Sequence, residues 1–121
     1  MRVEFTTFLV KAGMEDTAEE WMRILQERRE ECIETLERER MHYESIFRTT
    51  RNGRLYLSWF SVQGEEGEDL ETSDHEIDKL HLEYCERCLE PDVREDMEHI
   101  ISFVPESIAE AVEEREALLN T

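Results

Sequence analysis

The 121-residue sequence predicts one α+β domain built around an antiparallel sheet. Two observations support this. Strand-like and helical periodicities alternate along the chain, and an Asn-Gly pair separates two strand-like segments. Asn-Gly is the strongest short hairpin signal, because both turn residues need positive φ. A chain of this length buries about two-thirds of its unfolded surface, so a metal or disulfide is not needed to explain its folding.

The first two predicted elements are a strand and a long helix. Residues 2–11 are rich in β-branched and aromatic types and are apolar on both faces, which is typical of a strand covered on both sides. Residues 15–40 carry an apolar stripe at helical spacing and predict a single helix. Arg29 lies in the middle of that stripe, which consists of Ala18, Trp21, Met22, Leu25, Cys32, Ile33 and Leu36.

Residues 41–50 and 54–63 are the two predicted hairpin strands. A two-residue loop places Phe47 opposite Ser58 and Tyr43 opposite Val62. One face then carries Tyr43, Ser45, Phe47, Tyr56, Ser58, Phe60 and Val62. The other carries His42, Glu44, Ile46, Arg48, Leu55, Leu57, Trp59 and Ser61. The latter face is expected to meet the helices, since the first is the better dimer face.

The second half of the chain predicts a helix, a strand and a last helix. Residues 64–72 form an acidic loop, and Ser73 with Glu76 resembles a capping box for a helix that runs to about Leu89. Pro91-Asp92 is expected to end that helix, and residues 97–104 predict the fourth strand. Pro105 is well placed to open the C-terminal helix.

This order predicts a ferredoxin-like sandwich: a four-stranded antiparallel sheet, two main helices on one face and a C-terminal helix. The single domain spans residues 1–121, with a core over 2–104 and the last helix over 105–121. The sheet face without helices would expose aromatic side chains in a monomer. Such patches usually mark interfaces, so we expect a homodimer that forms through the sheet with twofold symmetry.

With these elements the chain resembles the dimeric α/β-barrel superfamily, which includes antibiotic-biosynthesis-monooxygenase-like, haem-degrading and sugar-mutarotase-like proteins. The resemblance covers roughly residues 2–104 and rests on the element order, the hairpin and the strand-Gly-helix entry VKAGMEDTAEEWM. It implies a small-molecule pocket between the sheet and its helices.

The oxygenase branches of that superfamily use an Asn on the first strand, a Trp on a sheet strand and a His or Trp on the helical side. Trp59 and His81 are similar to the last two, but Thr6 and Thr7 occupy the region of the Asn. The mutarotase branch uses a His on the first helix, which residues 15–40 lack. These departures argue against both activities, and the chain looks like an uncharacterised bacterial and archaeal branch.

The charge balance excludes several classes of partner. The chain has 14 basic and 32 acidic residues, a formal charge of −18. Nucleic-acid binding and docking on an anionic membrane both need clustered Lys and Arg, so neither is expected. A Lys-poor, acid-rich surface also suits a halophilic source; the alternative is that Glu is abundant because it favours helices.

Three cysteines in a chain without a signal-like start or a long apolar run predict a cytoplasmic protein. Cys85 and Cys88 have the CxxC spacing, and with His81 they could supply three metal ligands on one helix. No second motif completes that set, so inert thiols are the preferred interpretation. We predict neither a metal nor a cofactor.

The candidate site residues are polar or aromatic groups directed toward the predicted pocket. His81 and Glu44 are the candidate catalytic groups, since a His and a carboxyl can exchange protons. Arg29 is a candidate clamp for an anionic group. The other candidate ligand-binding residues are Trp59, Arg48 and Tyr84. Purely structural roles are the alternatives: Arg29 reaches solvent or pairs with Glu44, and His81 is a hydrogen-bonded core residue.

Two functions follow from these residues. The first is a dimer that binds a small molecule, an anionic one among the candidates, with or without catalysis. The second is a structural or interaction dimer with no ligand. The first function requires Arg29, Glu44 and His81 to border one cavity, whereas the second does not.

Overall fold

The computed structural model describes residues 1–64 and 74–119. These residues form four strands and four helices. The elements are β1 (Arg2–Val10), α1 (Glu15–Glu27), α2 (Arg29–Arg38), β2 (Met41–Arg51), β3 (Arg54–Gln63), α3 (Glu76–Cys88), β4 (Leu89–Asp96) and α4 (Glu106–Leu119).

The four strands form one antiparallel sheet in the order β2-β3-β1-β4. The α+β class is therefore confirmed, and the order is compatible with a ferredoxin-like arrangement. The hairpin register is as predicted: Phe47 lies opposite Ser58, and Tyr43 lies opposite Val62. Asn52 and Gly53 both adopt positive φ, 51° and 74°, as the tight turn requires.

The core lies between the sheet and the helices. Trp21 of α1 is fully buried and packs 5.5 Å, centroid to centroid, from Trp59 of β3. The other buried apolar residues of this cluster are Val10, Ala18, Leu55, Leu57, Tyr84, Cys88 and Leu89. The helices thus cover the sheet face that carries Leu55, Leu57 and Trp59, the face expected to meet them.

The single helix predicted over residues 15–40 is wrong, because the chain breaks at Arg28 into α1 and α2. Arg28 has φ −103° and ψ 33°, outside helical geometry, and its side chain pairs with Glu31 at 2.5 Å. No Pro or Gly marks this position in the sequence. The break changes which face of α2 is inward: Thr35 is buried, whereas Ile33 and Arg29 are exposed.

The fourth strand is Leu89–Asp96, not residues 97–104 as predicted. It follows α3 without a loop and pairs with β1 at the sheet edge. Pro91 is compatible with this strand because an edge strand has one side free of ladder hydrogen bonds, where a missing N–H costs nothing. Residues 97–104, which we call the C-terminal arm, form no helix or strand.

Helix α3 is capped by His75, whose Nδ1 accepts a hydrogen bond from the Ile77 amide. The predicted cap Ser73 and nearly all of the predicted acidic loop lie outside the described residues. At the other end of the chain, Pro105 precedes α4 as predicted, and its carbonyl accepts from the Ile108 amide at 3.0 Å. No helix of the described residues is long and apolar enough to cross a membrane.

Candidate functional site

A cavity of about 1060 Å³ lies between the helices and the β2–β3 half of the sheet. Side chains from α1, α2, α3, β2 and β3 line it. Five of the six candidate site residues border this cavity: Arg29, Glu44, Arg48, Trp59 and His81. The sixth, Tyr84, belongs to the core instead, where it is buried and stacks on Trp21 with an interplanar angle of 11°.

His81 is held by the aromatic residues at one end of the cavity. The Trp21 Nε1–H donates a hydrogen bond to His81 Nδ1 at 3.0 Å. Burial lowers the pKa of His81 to about 4, although the nearby Asp78 opposes this effect. The ring is therefore neutral at physiological pH and carries its proton on Nε2. His81 can therefore offer an N–H donor from Nε2; its acid–base role stays a prediction.

Two carboxyl groups that the sequence analysis did not single out meet beside His81. Glu39 follows the last residue of α2, and Asp78 lies on α3, where its side chain is buried. The two side chains are hydrogen-bonded. Burial, then the charges of Asp78 and Glu44, raise the pKa of Glu39 to about 8. Glu39 therefore holds a proton at neutral pH and donates it toward Asp78.

Glu44 of β2 is the third carboxyl group of the cavity. Its side chain is accessible to solvent, as expected for a residue that borders an open cavity. Burial, then the charge of Asp78, raises the pKa of Glu44. Within the described residues Glu44 has neither a hydrogen bond nor an ion pair; in particular, it does not pair with Arg29.

The two candidate arginines lie at the exposed edge of the cavity. Arg48 of β2 pairs with Glu19 of α1 at 2.5 Å, which ties the strand to the helix. Arg29 is exposed at the start of α2 and has no hydrogen bond or ion pair with any described residue. Its guanidinium is thus available to a group that enters the cavity.

Helix α4 contacts the start of β2 beside the cavity. His42 of β2 accepts from Arg115 at 2.6 Å through Nδ1 and contacts Glu116 at 3.0 Å through Nε2. The His42 side chain is only 5% exposed, so α4 covers it. Both His42 and the neighbouring Gly64 line the cavity. The C-terminal half of α4 therefore holds His42 in place beside the cavity.

A family of unknown function, DUF6176, matches residues 1–110, which is nearly the whole chain. The chain belongs to this family. Neither the curated proteins nor the solved structures contain a match. The family assignment therefore supplies no activity or ligand, and the function has to be inferred from the cavity.

The other candidates for chemistry in the described part of the DUF6176 chain are metal ligands and thiols. Residues 1–64 and 74–119 contain no group of three or more His, Cys, Asp or Glu side chains arranged to hold a metal ion. Cys32, Cys85 and Cys88 are all free thiols. Burial raises the pKa of both Cys32 and Cys88, which keeps these thiols protonated and poorly nucleophilic.

The arrangement offers three kinds of contact to a small molecule. The Trp59 ring supplies an apolar wall, the His81 Nε2–H supplies a donor, and the carboxyl groups of Glu39 and Glu44 supply acceptors. Both carboxyl groups have raised pKa values, and that of Glu39, at about 8, makes Glu39 the carboxyl group best suited to exchange protons near neutral pH.

Glu39 and Asp78 were missed because each looks like an ordinary surface residue in the sequence. One signal was present: Asp78 lies three residues before His81, so the two share a helix face. Glu39 carried no such signal, because its place in the cavity depends on how α2 ends. There Arg40 adopts a positive φ of 54° and leads directly into β2.

Proposed function

We propose that this protein binds a small organic molecule in the cavity between its sheet and helices. Arg29 at the edge holds an anionic group of the ligand, Trp59 packs on its apolar part, and His81 donates a hydrogen bond from Nε2. The volume is that of a typical ligand site, which spans about 300–1,000 Å³. A cavity of this size between a sheet and its helices is unusual for a purely structural domain, since protein interiors are otherwise close-packed.

The observation that carries the proposal is that residues distant in sequence border one cavity. Arg29, Glu44 and His81 come from three different elements and line the same space. Arg29 and Glu44 do not pair with each other within the described residues. Unpaired charges in a shared cavity favour a ligand over a structural ion pair.

The test is to identify small molecules that co-purify with the protein. Native protein is denatured, and the released compounds are identified by mass spectrometry. In parallel, a metabolite library is screened by thermal shift. Ile46→Trp fills the cavity from β2, whereas Thr50→Trp places the same side chain on β2 outside the cavity lining. We expect a compound that binds the wild type and Thr50→Trp but not Ile46→Trp. The proposal fails if no compound binds, or if Ile46→Trp binds equally well.

A second proposal, compatible with the first, is a homodimer that forms through the sheet face without helices. Aromatic rings cover this face: Phe5 lies 6.3 Å from Phe47 and 6.4 Å from Phe60, centroid to centroid. Phe47 is 53% exposed. On this face Glu95 of β4 pairs with Arg51 at 3.9 Å. In a chain of charge −18, a face with so few acidic residues allows two copies to approach.

The area of this face is close to what a dimer needs. Four strands spaced about 4.8 Å apart, with an overlap of about 27 Å, would bury about 1,000 Å² across two copies. Specific interfaces bury about 1,200–2,000 Å². The C-terminal arm can supply the remainder, because its Ile100 and Phe103 are 81% and 88% exposed.

Sedimentation equilibrium tests the dimer. Phe60→Glu puts a charge on the open face, and Thr50→Glu puts the same charge on β2 on the opposite side of the sheet. We expect the wild type and Thr50→Glu to be dimers and Phe60→Glu to be a folded monomer. A monomeric wild type would refute the proposal.

We further propose that the family is a branch of the dimeric α/β-barrel superfamily and that the protein resides in the cytoplasm. The strand order β2-β3-β1-β4 supports the first proposal. Three free thiols support the second, because a reducing compartment keeps thiols unpaired. A solved structure of the dimer would test the first proposal, and fractionation of the source cells would test the second.

A further inference from the structure

Three carboxyl groups from three separate elements border the cavity. Glu39 follows α2, Glu44 lies on β2 and Asp78 lies on α3. The charge of Asp78 raises the pKa of both Glu39 and Glu44, so the three groups interact electrostatically. The part of the lining that these three residues form is therefore acidic, and the exposed Arg29 and Arg48 also border the cavity.

The cations of the chain do not neutralise Glu44. Arg48, four residues along the same strand, is paired with Glu19. Arg29 is exposed and makes no contact with Glu44. The influences on Glu44 are burial and the charge of Asp78, both of which disfavour its ionised form. A ligand cation placed beside Glu44 would remove this cost, because an opposite charge at close range favours the ionised form.

The wall next to the carboxyl groups is aromatic. Trp59 lines the cavity, with its ring 6.0 Å from the His81 ring, centroid to centroid. Indole is the best of the aromatic side chains for binding a cation over its face. His81 is neutral at physiological pH, so it does not repel a cation. An aromatic wall beside carboxylates is a combination that suits an organic ammonium group.

We propose that the ligand of this cavity carries a protonated amine, which binds among the carboxyl groups of Glu39, Glu44 and Asp78 beside the Trp59 ring. This rests on the proposed function and names the chemical class of its ligand. With its anionic group at Arg29, such a ligand is a zwitterion, as amino acids are. A metal ion is a poorer occupant, because the described residues offer no set of three ligands in metal-binding geometry.

Proton release should accompany binding. Glu39 is protonated at neutral pH, and a nearby ammonium group favours its ionised form. The cavity therefore exchanges a proton on Glu39 for the charge of the ligand. Affinity for the amine should rise as the pH increases from about 6 to about 8, as long as the amine itself stays protonated.

The experiment uses three probes with one ring and different charges: benzylamine, benzyl alcohol and benzoate. Binding is followed by tryptophan fluorescence, because both tryptophans of the chain lie at or next to this site. Trp59 lines the cavity, and Trp21 packs against Trp59. We expect benzylamine to bind about tenfold more tightly than benzyl alcohol, and benzoate to bind more weakly than benzylamine. Ile46→Trp should weaken the binding of benzylamine. This variant is measured by calorimetry.

Glu44→Gln tests the carboxyl group itself, since it keeps the shape and removes the charge. We expect about a tenfold loss of affinity for benzylamine and no change for benzyl alcohol, as for the loss of one charge-assisted hydrogen bond. Glu37→Gln is the matched control, because Glu37 is an exposed residue of α2 outside the cavity lining. If Glu44→Gln does not fold, Glu39→Gln replaces it: this variant cannot release a proton on binding, so the affinity for benzylamine should no longer rise between about pH 6 and about pH 8.

Three results would overturn the inference: benzyl alcohol binding as tightly as benzylamine, Glu44→Gln leaving the affinity for benzylamine unchanged, or no binding by any probe. If benzyl alcohol or benzoate binds at least as tightly as benzylamine, and Ile46→Trp abolishes that binding, the amine class is refuted while the proposed function is supported. The co-purification experiment tests that function separately, because it does not presuppose the charge of the ligand.

Discussion

Replacing Glu39 with glutamine should change how the stability of the protein depends on pH. Burial and the neighbouring Asp78 and Glu44 raise the pKa of Glu39 from its ordinary value of 4.5 to about 8. The folded protein therefore keeps a proton on Glu39 that the unfolded chain has already lost. Stability falls as the pH rises wherever the folded state holds more protons. The loss thus develops between about pH 4.5 and about pH 8.

The size of the effect follows from the two pKa values. At about 1.4 kcal/mol per pH unit, the interval from 4.5 to about 8 sets an upper limit of about 5 kcal/mol above pH 8. Glu39 is half-buried, so solvent screens part of this interaction, and we expect about 2 kcal/mol. Glutamine cannot ionise but can still donate a hydrogen bond to Asp78. At about pH 8.5 the variant should therefore gain about 2 kcal/mol over the wild type, relative to their difference at about pH 5.

Urea unfolding at about pH 5, 6.5 and 8.5, followed by tryptophan fluorescence, measures this difference. His81 titrates in both proteins, so its contribution cancels when the two are compared. Glu37→Gln removes a carboxylate from the exposed side of α2 and should follow the wild type at every pH. A constant difference between Glu39→Gln and the wild type across this range would show that the Glu39 carboxyl is not held protonated in the folded state.

Three further outcomes are expected. The His81 ring should remain neutral, with its proton on Nε2, at pH 6, which ¹⁵N chemical shifts of the imidazole report; titration near its ordinary value of 6.5 would contradict its burial. Trp21→Phe should lower the free energy of unfolding by about 2 kcal/mol, because it removes the hydrogen bond to His81 and leaves a gap in the core; an effect below about 0.5 kcal/mol would be inconsistent with this packing. Gly53→Ala should cost about 1 kcal/mol by the same measurement, since Gly53 has a φ of 74° that a side chain disfavours, and an unchanged stability would show that the turn can adopt another form.

The hairpin shows how much of the fold the sequence predicts. Its turn residues, its register and its inward face are all present in the structure as predicted. They follow from local rules: Asn-Gly sets a two-residue turn, and the alternation of strand side chains then assigns each residue to a face. The first strand and the C-terminal helix were also predicted from the sequence, because Gly13 marks the end of the strand and Pro105 the start of the helix.

The predicted fourth strand shows where such rules fail. Residues 97–104 contain more apolar side chains than Leu89–Asp96, yet the latter pair with β1. The prediction favoured the more apolar segment, but an edge strand is only partly covered and need not be apolar. The chain leaves α3 directly beside β1, so the residues available for pairing are those that follow immediately. The break at Arg28 is similar, since no residue type in the sequence marks it.

The candidate site was predicted in part. Arg29, Glu44, Arg48, Trp59 and His81 border the cavity because strand alternation and helical spacing direct them to the inner face. Tyr84 satisfies the same spacing but packs into the core on Trp21. Helical spacing identifies the side of a helix that faces the sheet; it does not distinguish a packed position from one beside a cavity.

Composition and local periodicity were sufficient to define the α+β class, the hairpin register and the exclusion of polyanionic partners, because each depends on residues close in sequence or on total charge. The carboxyl cluster depends on residues 39, 44 and 78, which come together only when α2 and α3 pack against β2. The pKa of a carboxyl group responds to what lies within a few ångströms of it, whatever the sequence separation. The acidic character of the cavity is therefore a property of the folded chain, and it is the basis for the ligand class proposed above.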